Sequence, residues 1–241
     1  MALALADKCI PEMRPKELVN GDPYPPLSDG ETRLYISYSC PFSQRVWITR
    51  NYKGLQQKIQ LAPINLRSKP DWYAEKVHSG GKVPSLQHNG KVLVESLDLI
   101  KYLEANFEGS SLSPEDQPKK EFFDELFTYV EKFFGTIYGS FGKPNVAEVA
   151  GPAFDYLENA LCKFNEGPFF LGQLSLVDVA YMPIFERFQI WLKEAGDFSI
   201  TEGRPNLAKW IEEINKIEAY KQTKADPVGV LEYYRMRFGA T

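Results

Sequence analysis

A chain of 241 residues with a net charge of -4, 25% charged residues and 14% aromatics is long enough for one large globular domain or two small ones. Its acidic balance argues against a nucleic-acid surface, and no apolar run approaches the roughly 18 residues of a membrane span. Three cysteines, Cys9, Cys40 and Cys162, are odd in number and irregular in spacing. They imply no disulfide framework, and the cytoplasm is the expected compartment. The opening Met-Ala-Leu-Ala-Leu-Ala is cut short by Asp7 and Lys8, too early for a signal-peptide core, and the acids that soon follow are unlike a transit peptide.

In chain order, a Pro-rich arm reaches Gly30, and Thr32 to Tyr38 then reads as a short strand. Cys40-Pro41-Phe42-Ser43 follows and opens an amphipathic helix with no Gly or Pro before Gly54. Pro41 suits the first helical position, where a missing N–H costs nothing. Lys58 to Ala62 and Lys82 to Gln87 are the next expected strands. His88-Asn89-Gly90-Lys91 carries the Asn-Gly pair of a tight hairpin, and Val92 to Val94 returns. From Ser96 the period changes, with Leu99, Ile100, Leu103 and Phe107 on one helical face. Glu108 to Pro118 has the Gly, Ser, Pro and acid content of a linker, and the segments 119–141, 146–164, 176–193, 205–216 and 226–237 read as helices. The expected organisation is an arm (1–30), an α/β domain (31–107), a linker (108–118) and an all-helical domain (119–241). Within the last, Ser175 and Asp178 have capping-box spacing ahead of an apolar stripe, and Pro183 should kink that helix. Asp178 is read as a cap rather than a catalytic acid.

The chemistry concentrates near Cys40. At a helix N-terminus a sulfur meets unpaired N–H groups and the positive end of the helix dipole, which favours a thiolate nucleophile. A dithiol redox site would place a second cysteine three residues on, where Ser43 stands. Pro84, in Gly81-Lys82-Val83-Pro84-Ser85, cannot donate to a sheet ladder. In a thioredoxin-like fold the Val83–Pro84 bond would be cis and the Val83 backbone would offer itself to a bound peptide beside the cysteine. Glu95-Ser96 marks a turn into a helix. Ser96 is expected as its N-cap, the helix start can hold a carboxylate, and Glu95 can hold an ammonium. A free γ-glutamyl end presents both groups on one carbon. Lys69, in a loop ahead of a helix, is placed to meet a second carboxylate, although a lone loop lysine is usually just solvated.

Together these residues resemble a cytosolic glutathione transferase of the cysteine-bearing type. The resemblance covers nearly the whole chain and is carried by Arg33 to Cys40, Pro41-Phe-Ser-Gln-Arg-Val-Trp-Ile-Thr-Arg-Asn51, Lys82-Val-Pro-Ser85 and Glu95-Ser-Leu-Asp-Leu-Ile-Lys-Tyr102. Cys-Pro-Phe-Ser-Gln-Arg also occurs in dehydroascorbate reductases. The arm and Arg45-Val-Trp-Ile-Thr-Arg50 tip the balance to the plant lambda class. The resemblance implies an α/β thioredoxin-like N-terminal domain plus an all-α C-terminal domain. It implies Cys40 as catalytic residue, with Phe42, Lys69, Lys82, Val83, Pro84, Glu95 and Ser96 lining a glutathione site. Glutathione is then a co-substrate, with no tightly bound cofactor and no metal. His78 and His88 lack metal-ligand spacing.

A protein thiolate is itself a nucleophile, so the expected chemistry is thiol transfer through a Cys40–glutathione mixed disulfide resolved by a second glutathione. Ser39, Ser43 and Tyr38 remain as possible hydroxyl helpers. The resemblance implies small aromatic glutathione conjugates, of flavonols and similar quinone-forming compounds, as acceptors. Tyr129, Phe133, Phe134 and Trp191 are candidate lining residues of the acceptor cleft, against the stronger expectation that aromatics at helical spacing are core. A dehydroascorbate reductase would use the same Cys40. A carrier of glutathione conjugates or other aromatic ligands would use no chemistry, and iron–sulfur binding lacks multi-ligand spacing. A monomer is expected, and Cys9 and Cys162 receive no role.

Overall fold

The computed structural model describes residues 11–25, 31–143, 145–164 and 166–239. Cys9 and the first part of the arm lie outside them. The described chain divides into two compact units. The first holds the residues up to Ser111 together with Ile217–Lys224, and the second holds Leu112–Lys216 and the residues from Ala225 onward.

The first unit is built on a four-stranded sheet. Strands β1 (Thr32–Ile36), β2 (Ile59–Pro63), β3 (Ser85–His88) and β4 (Lys91–Val94) lie in the order β2-β1-β3-β4. β1 runs parallel to β2 and antiparallel to β3, and β3 is antiparallel to β4. Every residue of β1 is buried, as a central strand requires. Tyr35 packs on one face with Ile64, Trp72 and Tyr73, so Leu34 and Ile36 point to the other. Asn89 (φ 50°) and Gly90 (φ 71°) both take the left-handed conformation that an Asn-Gly hairpin turn uses. β3 begins at Ser85 and not at Lys82, because Pro84 has no N–H to give the ladder.

Helices α1 (Pro41–Tyr52), α2 (Asp71–Lys76) and α3 (Ser96–Asn106) complete this α/β layer. α1 has little amphipathic character, since Ser43 to Asn51 are all buried. Its buried polar groups are therefore partnered. Arg50 pairs with Glu12 of the arm and donates to the Ile59 carbonyl at 2.7 Å. Glu12 also accepts from the Trp47 indole at 3.0 Å. Farther along the arm, Leu18 forms an isolated parallel bridge with Ile64, donating to the Pro63 carbonyl at 2.7 Å and accepting from Asn65 at 3.0 Å. The described part of the arm is thus a strap along the sheet edge and α1.

The segment 217–224 corrects the expectation that 119–241 forms one helical domain. It holds α8 (Glu218–Lys221), which belongs to the first unit. Ala219 and Tyr220 are buried, and Thr223 and Gln222 accept from Gln44 and Asn51 of α1 at 3.5 and 3.3 Å.

The second unit is all-helical, with α4 (Gln117–Tyr138), α5 (Val146–Ala160), α6 (Leu176–Gly196), α7 (Pro205–Ile214) and α9 (Pro227–Phe238). α6 is buried from Leu176 to Phe188 and runs on past Pro183 to Gly196. Phe133 of α4 stacks on Phe185 of α6 with ring centroids 5.3 Å apart and meets Phe154 of α5 edge-on at 5.5 Å. The capping box forms as its spacing predicts. Asp178 is fully buried and accepts from the Ser175 N–H (2.9 Å), the Ser175 hydroxyl (2.8 Å), the Phe170 N–H (3.2 Å) and the Trp210 indole (2.9 Å). Burial pushes its carboxyl up to about 6 against the lowering effect of those donors.

Candidate functional site

Strand register gathers the chemistry-bearing residues at one end of the first unit's sheet. Ile36 pairs with Pro63, so the ends of β1 and β2 lie side by side. Tyr35 pairs with Ser85 and Ser85 with Val94, which brings the start of β3 and the end of β4 to the same edge. The four connections leaving that edge carry Cys40, Lys69, Lys82-Val83-Pro84 and Glu95-Ser96.

Cys40 is the N-cap of α1, with extended backbone (φ -84°, ψ 121°) and Pro41 next. Its amide donates to the Ser37 carbonyl at 3.1 Å and its carbonyl accepts from Gln44 at 3.1 Å. The half-buried sulfur lies 3.9 Å from the Val83 carbonyl oxygen. Val83–Pro84 is a cis peptide. The residue before the proline therefore lies beside the thiol, as the motif implies.

The neighbouring hydroxyls are engaged in the fold. Ser43 is fully buried and accepts from the Ser37 N–H at 3.2 Å, while Ser39 and Ser37 share a hydroxyl contact at 3.2 Å. Tyr38 donates to the Pro15 carbonyl at 2.7 Å, packs on Trp47 with centroids 5.3 Å apart and lies under Arg14. Burial pushes its phenol up to about 12, the wrong direction for an ionised helper.

Tyr73, which no sequence signal singled out, holds the cis loop from behind. Its hydroxyl donates to the Lys82 carbonyl at 2.7 Å and lies 3.1 Å from the Ser85 hydroxyl, bracketing Val83–Pro84. Burial raises its phenol. The Lys82 side chain itself is exposed, so what this residue fixes locally is backbone. Lys69 is exposed and rests its ammonium on the Gly81 carbonyl at 3.2 Å.

The Glu95-Ser96 turn differs from expectation. Ser96 does not cap α3 but is its first residue, and Glu95 occupies the N-cap in the left-handed region (φ 68°, ψ 111°) with no capping bond. The Ser96 hydroxyl accepts from the Arg45 guanidinium at 3.0 Å. Arg45 is 3% exposed and also lies over the Phe42 ring, 5.2 Å from its centroid. Of the aromatics considered for an acceptor cleft, Phe133 and Trp191 are instead core residues of the second unit, at 0% and 1% exposure, and Tyr129 and Phe134 are half-buried there.

Comparison with known proteins identifies the fold and the family. A family profile described as Glutathione S-transferase, N-terminal domain, matches residues 34–111, and one described as Glutathione S-transferase, C-terminal domain, matches residues 121–213. The chain belongs to the glutathione transferases. Glutathione S-transferase L3 of Arabidopsis thaliana is 57% identical over 94% of this chain and 96% of its own length. Glutathione S-transferase L2, chloroplastic, of the same plant is 57% identical over 88% of this chain and 72% of its own. Among solved structures, glutathione transferase Omega 2C from Trametes versicolor superposes with a TM-score of 0.72 at 27% identity, covering 87% of this chain and 99% of that one. Within the family the chain is most like the plant lambda class. It is a glutathione-dependent transferase, with glutathione as co-substrate, and its chain comprises a thioredoxin-like unit and a helical one. No helix among the described residues is long and apolar enough to cross a membrane.

Proposed function

We propose that this glutathione transferase is a thiol transferase that removes glutathione from small aromatic conjugates, with Cys40 as its catalytic residue. The observation that carries the reading is the thiol at the α1 N-cap, 3.9 Å from the Val83 carbonyl, among hydroxyls spent on structure. Glutathione lies along Val83 as an added strand, with Lys82 and Pro84 shaping that backbone and Phe42 at its side. The γ-glutamyl ammonium meets Glu95, its carboxylate meets Ser96 at the start of α3, and Lys69 takes the glycyl carboxylate.

The Cys40 thiolate attacks the sulfur of the conjugate, forming the Cys40–glutathione disulfide and breaking the bond from sulfur to the acceptor. The departing electron pair leaves on the acceptor, which a quinone-type ring stabilises, and the acceptor takes up a proton. A second glutathione thiolate then attacks the mixed disulfide, returning the Cys40 thiolate and oxidised glutathione. The net reaction consumes one conjugate and one glutathione, and it yields the reduced acceptor and one disulfide. Ser43 cannot resolve the intermediate internally, so kinetics are ping-pong.

Cys40→Ser tests the reading. It should abolish thiol transfer and the gain of one glutathione mass that oxidised glutathione leaves on the wild type. A mutant that keeps its transfer rate, or a wild type that takes no adduct at Cys40, overturns it. The same reading holds the glutathione-binding domain to 31–107, the enzyme to a monomer and its place to the cytoplasm. Size-exclusion chromatography with light scattering and imaging of the tagged chain check the last two.

A further inference from the structure

We infer that Glu17 and Asn65 are positioning residues through which the N-terminal arm fixes the Lys69 loop and so sets how tightly the glycyl end of glutathione is held. The inference rests on the proposed glutathione site, in which Lys69 takes the glycyl carboxylate. Lys69 lies in the connection from β2 to α2, which is exposed from Leu66 to Lys69. A lysine on a loose loop has to be ordered as its ligand arrives, and that cost weakens binding. Here the arm orders the loop beforehand. Asn65 Oδ1 accepts from the Arg67 and Ser68 N–H groups at 3.0 and 3.1 Å, which folds the loop into a side-chain turn. The other end of the same amide, Nδ2, donates to the Glu17 carboxylate at 3.1 Å.

Backbone bonds run beside that contact. The Asn65 N–H donates to the Leu18 carbonyl at 3.0 Å, and the Asn20 N–H donates to the Ser68 carbonyl at 2.8 Å. The arm therefore grips the loop at both ends of the turn, the second grip falling immediately before Lys69. The Lys69 ammonium rests on the Gly81 carbonyl at 3.2 Å, two residues ahead of Val83, so its head is held beside the loop along which the peptide is proposed to lie. The arm is itself anchored to the helix that presents the thiol. Glu12 pairs with Arg50 and accepts from the Trp47 indole, while Arg14 lies over the Trp47 ring, 5.2 Å from its centroid. The Pro15 carbonyl accepts from Tyr38, two residues ahead of Cys40. One strap thus ties the Lys69 loop to α1, and with it the glycyl end of the tripeptide to its sulfur. Among the described residues, none of the arm's hydrogen bonds goes to the Glu95-Ser96 turn. The γ-glutamyl end lies outside its reach.

The experiment measures binding of glutathione and of γ-glutamylcysteine, which lacks the glycyl residue, by titration calorimetry under reducing conditions. The wild type should favour glutathione by about tenfold, as one charge-assisted hydrogen bond at an exposed site contributes. Lys69→Gln should remove most of that preference. Asn65→Asp keeps the acceptor of the turn but sets a carboxylate against Glu17. It should cut the preference to about twofold while changing the affinity for γ-glutamylcysteine by no more than about twofold. A merely structural role would weaken both thiols alike. Glu17→Gln should stay near the wild type, because its amide oxygen still accepts. The double variant Glu17→Gln, Asn65→Asp gives the introduced carboxylate a donor and restores the wild-type net charge, so it should recover most of the preference. A loss caused only by the introduced charge would persist there. If Asn65→Asp does not fold, as judged by circular dichroism, Glu17→Ala decides alone and should cut the preference about threefold. An undiminished preference in the deciding variant, equal losses for both thiols, or no recovery in the double variant overturns the inference. A wild type without the preference, or one in which Lys69→Gln leaves it intact, instead sinks the proposed glycyl contact and the inference with it.

Discussion

The end of the first unit's sheet and the Asp178 cluster of the second unit treat polar groups in opposite ways. Around Asp178 the donors converge on one fully buried carboxylate, which is saturated by its own chain. At the sheet end, Lys69 and Glu95 are exposed, the Cys40 sulfur has only a long contact to a carbonyl, and Glu95 sits in a backbone region that glycine favours. Polar groups closed on themselves hold a fold. Polar groups left open at one edge, and held there by a second layer of Arg45 and Tyr73, are set for a ligand.

The sharpest way to break that contrast is at Asp178. Asp178→Ala leaves its donors without an acceptor in a dry core and should cost about 3–5 kcal/mol of stability, read from urea unfolding of the second unit. If it costs under 1 kcal/mol, the cluster is not the keystone described. Its pH dependence has a definite sign. The folded value of about 6 lies above the ordinary 3.8, so this group's stabilising contribution is fullest below about 3.8. It is lost as pH rises through about 6 and is constant above. Measured against Asp178→Asn, which does not titrate, the wild type should lose relative stability between those two values and nowhere higher.

Much of this contrast is legible in sequence, and its gaps have physical reasons. The Ser175/Asp178 spacing, the Asn89-Gly90 turn and Cys40-Pro41 are local signals, set by backbone chemistry within a few residues. The alternation of strands and helices in the first unit follows from pattern, and its thioredoxin-like character from the family resemblance. α8 escapes because four residues are too few to show a period, and its attachment to α1 through Gln44 and Asn51 joins residues 171 and more positions apart. Ser96 misleads because serine is a common cap, and the residue that takes the cap geometry is a glutamate with positive φ. Arg45 enters the sequence reading only as part of the family resemblance, and Tyr73 carries no signal of its own. Their importance lies in what they touch, and a single chain does not announce contacts made through space.

A smaller effect sharpens the comparison at Tyr73. Tyr73→Phe keeps the ring packing but removes the donor to the Lys82 carbonyl and the partner of Ser85. Stability should fall by about 1–2 kcal/mol. If the phenol also holds the Val83 backbone for glutathione, KM for glutathione should rise several-fold with kcat nearly unchanged. A stability loss with no movement of KM would make Tyr73 a fold residue like those around Asp178.

The smallest expected shift is the most discriminating, because its sign differs between the two regions. Glu95 occupies φ 68° without a capping bond, a conformation that costs a non-glycine residue about 1–3 kcal/mol. Glu95→Gly relieves that cost and gives back less in unfolded-chain entropy, so the thermal midpoint should rise by about 2 °C. The same change removes the carboxylate proposed to hold the γ-glutamyl ammonium, so KM for glutathione should rise about tenfold. Glu95→Ala separates the two effects, since alanine keeps the strained backbone and loses the charge. It should weaken glutathione equally without raising the midpoint. No substitution in the Asp178 cluster should gain stability while losing activity, because every group there already has its partner. If Glu95→Gly lowers the midpoint instead, the left-handed residue is supported by its surroundings and the open edge is not where this enzyme gives up stability for binding.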